Sequence, residues 1–330
     1  MQERDKMKIR TLTGDIPPEK LGICDFHDHL IRSGGPEILI DQDYLMDSVE
    51  AAVYEADTFA AAGGQAMVCM DPLGCGRNVP KMLEVAEKMK GKLQLIMATG
   101  FLLGKHYDPR QHWTVTCPES QVIHMLALEI EEGMDRYSYN GPIVERVSAR
   151  AGVIKAGTGY QCITPFEQRI LRICAHVQKE TGVLISTHTQ MGTMGMEILR
   201  QLRDHGADLS HVVLCHTQKN PDLTYLQRLL DTGASLCFDG PDRPNLLPDD
   251  KLAELILGLI ERGYQKQLVL GMDAGRASCQ SGYMKEKGIQ AKGIAYMMTD
   301  FVPLLEQTGV SQQALEDILI RNPARLLSIN

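Results

Sequence analysis

The residues of this chain best suited to chemistry are six side chains of metal-ligand type that lie far apart in the sequence. Each follows or ends a short apolar run that is typical of a buried β-strand. Residues so widely separated can meet only if the fold gathers many strand ends around one point. A parallel (β/α)8 barrel does this, and barrel enzymes carry their chemistry at the C-terminal ends of the strands. The six residues are His27, His29, Lys155, His188, His216 and Asp273.

The spacing of these residues suits metal binding. His27 and His29 are two positions apart, so on a strand both imidazoles point to the same side. His188 and His216 end consecutive predicted strands, which are neighbours in a barrel. Asp273 ends the last predicted strand, where a carboxylate can bind a metal and accept the proton of a metal-bound water. Together they predict a metal centre with Asp273 as its catalytic base.

Lys155 has three interpretations, because a buried amine is costly unless its charge is paired, removed or used. It could form an ordinary ion pair. It could be a Schiff-base nucleophile, as in barrel aldolases. It could also carry a carbamate formed with carbon dioxide, which would turn the cation into an anionic ligand for two metals. The surrounding histidines and aspartate favour the third interpretation, since a Schiff-base enzyme has no use for them.

Apolar runs and helical stretches alternate along the chain without a linker or a repeat, which predicts a single barrel domain over residues 1–330. A capping box at Thr164 and glycines 182, 206, 233 and 263 mark predicted helix ends. The sequence Asn220-Pro221-Asp222 combines a cap with a proline and predicts a helix start before Leu223–Leu230. Three longer segments, 100–120, 239–250 and 274–291, follow strand ends and are predicted to be substrate loops. The predicted strands are 21–26, 65–70, 94–99, 151–155, 183–187, 211–216, 234–238 and 267–272.

Composition excludes several classes of function. The net charge of -8 and the absence of a Lys/Arg run argue against nucleic-acid binding. No apolar run is long enough to predict a transmembrane helix, and the polar N-terminus does not resemble a signal peptide. The nine cysteines include no Cys-x-x-Cys pair, which favours reduced thiols in a cytoplasmic protein.

The order His-x-His, Lys, His, His, Asp resembles the phosphotriesterase-like branch of the amidohydrolase superfamily over essentially the whole chain. The local sequences Thr187-His188-Thr189 and Asn322-Pro323-Ala324-Arg325-Leu326 add to the likeness. The resemblance implies two divalent metals and a homodimer. His27, His29 and Asp273 would hold one metal, and His188 and His216 the other. Carboxylated Lys155 and a hydroxide would bridge them. Zinc suits these ligands, and manganese, cobalt or iron could replace it.

The substrate expected from the resemblance is a lactone, preferably a polar or sugar-derived one that can carry a phosphate. With only 5% aromatic residues, the chain has little from which to build a large apolar pocket for organophosphates. Two sequences depart from those of acyl-lactonases, Gly100-Phe101-Leu102-Leu103 and Asp239-Gly-Pro-Asp-Arg243. A phosphotriester, phosphodiester or amide hydrolase with the same centre is the alternative, and a Schiff-base lyase using Lys155 is a remote one. The substrate contacts predicted from the loops are Arg276, Tyr283 and Arg243.

Overall fold

Eight parallel strands form one sheet in the computed structural model, which describes residues 7–285 and 287–330. The strands pair in chain order, and the last also contacts the first, so the sheet closes into a (β/α)8 barrel as predicted. An antiparallel hairpin, β1 (Ile9–Thr11) and β2 (Gly14–Ile16), precedes the barrel. The barrel strands are β3 (Cys24–Asp28), β4 (Ala66–Cys69), β5 (Gln94–Gly100), β6 (Val153–Thr158), β7 (Ile185–Thr189), β8 (Val212–Cys215), β9 (Ser235–Phe238) and β10 (Leu268–Leu270).

Helices alternate with the strands and cover the outside of the barrel. Short 3-10 turns lie in the loops, and two π-helical turns, Met297–Phe301 and Asp317–Arg321, precede later helices. The α-helices are α1 (Pro36–Ile40), α2 (Val49–Ala61), α3 (Val79–Lys88), α4 (Trp113–Thr116), α5 (Glu119–Glu131), α6 (Pro165–Thr181), α7 (Gly195–Asp204), α8 (Leu223–Leu230), α9 (Asp249–Glu261), α10 (Ser281–Lys285), α11 (Val302–Thr308), α12 (Gln312–Glu316) and α13 (Asn322–Leu327).

The predicted helix ends are mostly confirmed. The Thr164 hydroxyl accepts the Glu167 N–H and the Glu167 carboxylate accepts the Thr164 N–H, which completes the capping box of α6. Gly182 ends that helix with φ 73°, a left-handed conformation that favours glycine. The helix α8 spans Leu223–Leu230 as predicted, but its cap is not Asn220. The cap is Asp222, whose carboxylate accepts the Tyr225 N–H at 3.0 Å, whereas Asn220 ends the preceding 3-10 turn as its C-cap.

Two apolar layers hold the barrel together. The inner layer fills the barrel itself with one or two side chains from almost every strand, such as Phe26, Val68 and Val213. The outer layer packs the other face of the strands against the helices. Such packing leaves no pore, so polar chemistry is confined to the ends of the barrel. None of the helices in the described parts of the chain combines the length and apolar character required to cross a membrane.

The hairpin was not anticipated from the sequence, because its strands are only three residues long. The Leu12 N–H donates to the Leu95 carbonyl near the start of β5, and Ile9 joins the inner apolar layer. Lys8 pairs with Ile329 near the C-terminus. These contacts seal the N-terminal end of the barrel, so the open end is the one that carries the predicted ligands.

Candidate metal centre

All six predicted ligands lie at one cavity of about 400 Å³ at the C-terminal ends of the strands. His27 and His216 are 4.9 Å apart between ring centroids, and His188 and His216 are 4.3 Å apart. Ligand atoms of His27, His216 and Asp273 lie within 4.8 Å of one another. The structure therefore gathers residues from β3, β6, β7, β8 and the end of β10 around one point.

His27 and Asp273 also close the barrel. The Asp273 N–H donates to the His27 carbonyl at 2.8 Å, joining the last strand to the first. A Cβ on Gly271 would lie 2.8 Å from the His27 backbone nitrogen, so only glycine allows this approach. Asp273 and His216 have φ of 47° and 65°, left-handed conformations that are rare for residues other than glycine. Backbone strain of this kind concentrates at functional sites.

Lys155 and His188 lie further from the C-terminal ends of their strands than the sequence predicted. The β6–β7 ladder continues beyond them, to Thr158 and Thr189, because the two strands remain paired at the mouth of the barrel. The Lys155 amine is buried and lies 3.4 Å from His27 Nε2. In the described part of the chain no carboxylate comes within 4.0 Å of this amine. The ordinary ion-pair interpretation of Lys155 therefore has no support in the structure.

Burial and neighbouring charge set the charge state of the ligands. Burial lowers the pKa of His27, His188 and His216 well below its usual value, and nearby cations lower it further. Neutral imidazoles are the form that binds metals. Burial favours a higher pKa for Asp273, but the Arg243 guanidinium and the histidines outweigh it and hold that pKa well below the usual range. Asp273 is therefore ionised, which is the form that can bind a metal.

Two buried carboxylates that were not predicted from the sequence as site residues lie beside three of the histidines. Asp239 accepts from His216 Nδ1 at 2.9 Å and lies 3.4 Å from His27 Nδ1. Asp71 lies 2.9 Å from His29 Nδ1. A carboxylate that accepts from Nδ1 fixes the tautomer and leaves Nε2 free to bind a metal, and His216 has this hydrogen bond. His27 Nδ1 has no hydrogen-bond partner among the described residues, and His29 Nδ1 also lies 3.1 Å from the Arg32 guanidinium. Both could have been suspected from the sequence, since each directly follows a predicted strand.

A deeper group of His27, Cys215, Cys237 and Asp239 also has its potential ligand atoms within 4.8 Å. It shares His27 with the upper site, and its carboxylate already accepts hydrogen bonds from His216 and Gln218. Burial also raises the pKa of the Cys237 thiol well above its usual value, which disfavours the thiolate that a metal needs. We therefore interpret this layer as support for the site above it.

Two of the three predicted substrate contacts, Arg276 and Arg243, line the cavity, and Tyr283 does not. Arg276 lines the cavity, stacks 4.2 Å above the Tyr44 ring and forms an ion pair with Asp41. Arg243 lines the cavity and lies 3.3 Å from Asp273 Oδ2. Tyr283 does not belong to the described residues that line the cavity. Its hydroxyl donates to the backbone carbonyls of Leu30 and Ser48, which gives it a structural role, so the structure corrects its assignment as a substrate contact.

The three predicted substrate loops all reach this cavity. Segment 100–120 contributes residues 102, 103, 105 and 106, segment 239–250 contributes 243 and 246, and segment 274–291 contributes 275, 276 and 279. Trp113, which was expected in the loops over the mouth, instead packs against Phe101 and Tyr139. A second cavity of about 580 Å³ beside segments 33–35 and 136–143 has no His, Cys, Asp or Glu in its lining. The described lining of this second cavity therefore lacks the metal-ligand side chains that gather at the barrel mouth.

The model of the phosphotriesterase family matches residues 7–327. The chain belongs to this family. It is 46% identical to a phospho-furanose lactonase of Mycoplasmopsis synoviae over 97% of this chain and 92% of that protein. The crystal structure of an amidohydrolase from Mycoplasma synoviae is similar, with a TM-score of 0.97, 45% identity and coverage of 99% of this chain and 93% of the other. A lactonase from Listeria monocytogenes has a TM-score of 0.88 at 25% identity, with coverage of 98% and 99%.

Proposed function

We propose that this protein is a metal-dependent lactonase that hydrolyses a polar, sugar-derived lactone, with phosphorylated lactones as the first candidates. The observation that carries the proposal is one cavity in which the six ligand-type residues lie beside a group of cations. Two of these cations, Lys105 and Lys219, form no ion pair with any residue that the structure describes. They remain available to an anionic substituent, and the similar lactonase of Mycoplasmopsis synoviae is named for phospho-furanose substrates.

The donor set fits two divalent ions. His27, His29 and Asp273 would hold one ion, and His188 and His216 the other, with carboxylated Lys155 between them. The buried Lys155 amine supports this role, because no described carboxylate is close enough to neutralise it. Zinc is our first choice for imidazole and carboxylate ligands, and manganese, cobalt or iron would also fit. When bound, the ions would supply a nucleophilic water at neutral pH and would polarise the lactone carbonyl.

The side chains of this site would position the reactants and move one proton. Asp239 and Asp71 hold the imidazoles of His216 and His29 through Nδ1. Asp273 would accept the proton of the attacking water and transfer it to the ring oxygen as the C–O bond of the lactone breaks. Arg243 contacts Asp273 Oδ2, so it would keep this carboxylate in place during the transfer.

The shape of the cavity favours a small polar substrate over a bulky apolar one. Its volume of about 400 Å³ is at the small end of ligand sites. Tyr44 is the one Phe, Tyr or Trp side chain in its described lining, and the aliphatic lining is limited to residues such as Leu102, Leu103 and Leu246. This composition supports hydrolysis of a sugar lactone and offers little surface for the organic groups of a phosphotriester.

The test begins with metal content, which elemental analysis of freshly purified protein should place near two ions per chain. The metal-loaded enzyme is then assayed on sugar 1,4-lactones, their phosphates, acyl lactones, phosphate esters and N-acyl compounds. We expect sugar lactones to react fastest. Lys155→Ala should lose bridged metal and most activity, whereas Lys179→Ala, on the outer helix α6, should retain both.

Four results would contradict the proposal. Full metal loading without turnover of any lactone would remove the lactonase assignment, and faster turnover of a phosphate ester or amide would replace it. Unchanged activity in Lys155→Ala would remove the bridging carbamate. Trapping of a carbonyl substrate on Lys155 by borohydride would indicate Schiff-base chemistry instead. The cytoplasmic location and the homodimer stay predictions, to be checked by cell fractionation and sedimentation.

A further inference from the structure

Glu37 and His106 line the cavity but have no part in the chemistry proposed above. Glu37 lies on α1, in the loop after the first barrel strand, and His106 ends a 3-10 turn after the third. Glu37 is the only acidic residue in the described lining apart from Asp273. Because Glu37 is not one of the proposed metal ligands, the presence of its carboxylate in the cavity needs a separate explanation.

The two side chains lack hydrogen bonds although they are largely buried. The Glu37 side chain is 13% exposed and that of His106 is 4% exposed. Glu37 Oε1 is 3.6 Å from His106 Nε2, and Glu37 Oε2 is 3.6 Å from Arg32 Nη1, both beyond hydrogen-bond distance. Glu37 Oε2 and His106 Nε2 have no partner in the described structure. Buried polar groups are almost always hydrogen-bonded, and exceptions call for an explanation.

The protein itself offers Glu37 no better partner. Arg32, the nearest cation, already donates to Asp71 and to the Gly275 carbonyl. The backbone before Glu37 is packed tightly, because a Cβ on Gly35 would lie 2.9 Å from the Gly76 nitrogen. Gly35 has φ 94°, so the turn that leads into α1 depends on glycine. The carboxylate is therefore held at the cavity and can be satisfied by a ligand.

We propose that Glu37 and His106 form a subsite that binds ring hydroxyl groups of the substrate. This inference rests on the proposed function and deepens it. A carboxylate accepts hydrogen bonds from hydroxyl groups and repels phosphate, so the subsite would select the hydroxylated part of a sugar lactone. An imidazole can donate to one hydroxyl and accept from another.

The charge state of His106 agrees with this role. Burial lowers the pKa of its imidazole, and the charges of Lys105 and Arg32 lower it further, although Glu37 acts in the opposite direction. A neutral ring has both a donor and an acceptor nitrogen, whereas an imidazolium can only donate.

The experiment compares a 1,4-lactone of a five-carbon sugar acid 5-phosphate with the same lactone lacking its 2-hydroxyl or its 3-hydroxyl. The wild-type enzyme should prefer the full lactone by roughly tenfold to a hundredfold in kcat/KM, because a hydrogen bond to a charged group is among the stronger ones. Glu37→Gln and His106→Ala should lose most of this preference, with little change on the matching deoxy compound. Glu180→Gln and His124→Ala, both exposed and away from the cavity, should keep it.

The outcomes separate the subsite from the lactonase assignment. The subsite is overturned if kcat/KM falls equally on full and deoxy lactones in both variants, or does not fall at all. The two variants lie on different loops, so misfolding of one does not invalidate the test. If the metal-loaded wild type hydrolyses no lactone, the proposed function fails. The subsite is then tested separately, by calorimetric measurement of the affinities for the open-chain hydroxy acid phosphate and its deoxy counterparts. Equal affinities in wild type and Glu37→Gln overturn it, and a preference confined to the wild type supports it.

Discussion

At the scale of single residues, the candidate centre depends on carboxylates that lie behind the histidines. Asp239 accepts a hydrogen bond from His216 and lies near His27, and Asp71 lies beside His29, so these rings already face carboxylates before any metal binds. Replacing such a partner typically costs about tenfold to a hundredfold in metal affinity or activity. His29 differs from the other ligands in its charge, and this difference can be measured.

Metal binding at His29 should depend on pH. Burial tends to lower the pKa of His29, but the Asp71 carboxylate outweighs it and raises the pKa to about 9. Without a metal, His29 is therefore protonated below that pH and must release a proton to bind one, so metal affinity should rise with pH up to about 9. Calorimetry in buffers of different ionisation enthalpy measures the protons released.

Asp71→Asn should lower the pKa of His29 and reduce proton release at pH 7 by up to one proton per chain. Asp204→Asn, an exposed change on α7, serves as the control. Equal proton release in wild type and Asp71→Asn would show that Asp71 does not set the charge of His29.

At the scale of elements, helix α2 holds the loop that follows the last barrel strand. The buried Glu55 carboxylate on α2 accepts from the Ser281 hydroxyl at 2.7 Å, the Gly282 N–H at 2.8 Å and the Ile294 N–H at 2.5 Å. A Cβ on Gly282 would lie 2.1 Å from the Ala51 carbonyl oxygen, so helix and loop are in direct backbone contact. The same loop carries Arg276 into the cavity.

Replacing Glu55 should therefore loosen the loop more than the metal centre. In Glu55→Gln one acceptor becomes an amide donor that faces backbone donors, which should cost about 1–3 kcal/mol of unfolding free energy. Because Arg276 moves with the loop, KM for a phosphorylated lactone should rise more than kcat falls. Urea denaturation and steady-state kinetics measure both effects, with Glu50→Gln, exposed on the same helix, as the control. A fall in kcat with unchanged KM would contradict the role of Glu55 as a loop anchor.

At the scale of the whole molecule, the proposed metal ligands also join the first and last strands of the barrel. His27 on β3 and Asp273 after β10 would share one metal and are already linked by a backbone hydrogen bond of 2.8 Å. A metal bound there should act as a clamp on barrel closure, because a ligand that binds only the folded state stabilises it.

Removing metal should therefore lower the melting temperature of the entire domain. At a free metal concentration 1,000 times the Kd, the loss is about 4 kcal/mol per site. Differential scanning calorimetry of chelator-treated and reconstituted protein measures it. Asp273→Asn should show a smaller difference between the two states, while Asp204→Asn should match the wild type. Identical melting of metal-free and metal-loaded wild type would exclude a clamp.

The sequence alone was enough to predict the barrel and to place six candidate ligands at one end of it, because apolar runs and helix caps are local signals and each candidate follows or ends such a run. Only the tertiary structure showed that Asp71 and Asp239 face histidines, that Glu37 lies beside His106, and that Tyr283 is turned into the protein. These contacts join loops from different strands, so their partners depend on how the loops pack. The hairpin was missed for a related reason, since its short strands are stabilised by contacts with β5 and the C-terminus. The candidate ligands could thus be recognised at strand ends, while the contacts that surround them arise from packing between distant segments.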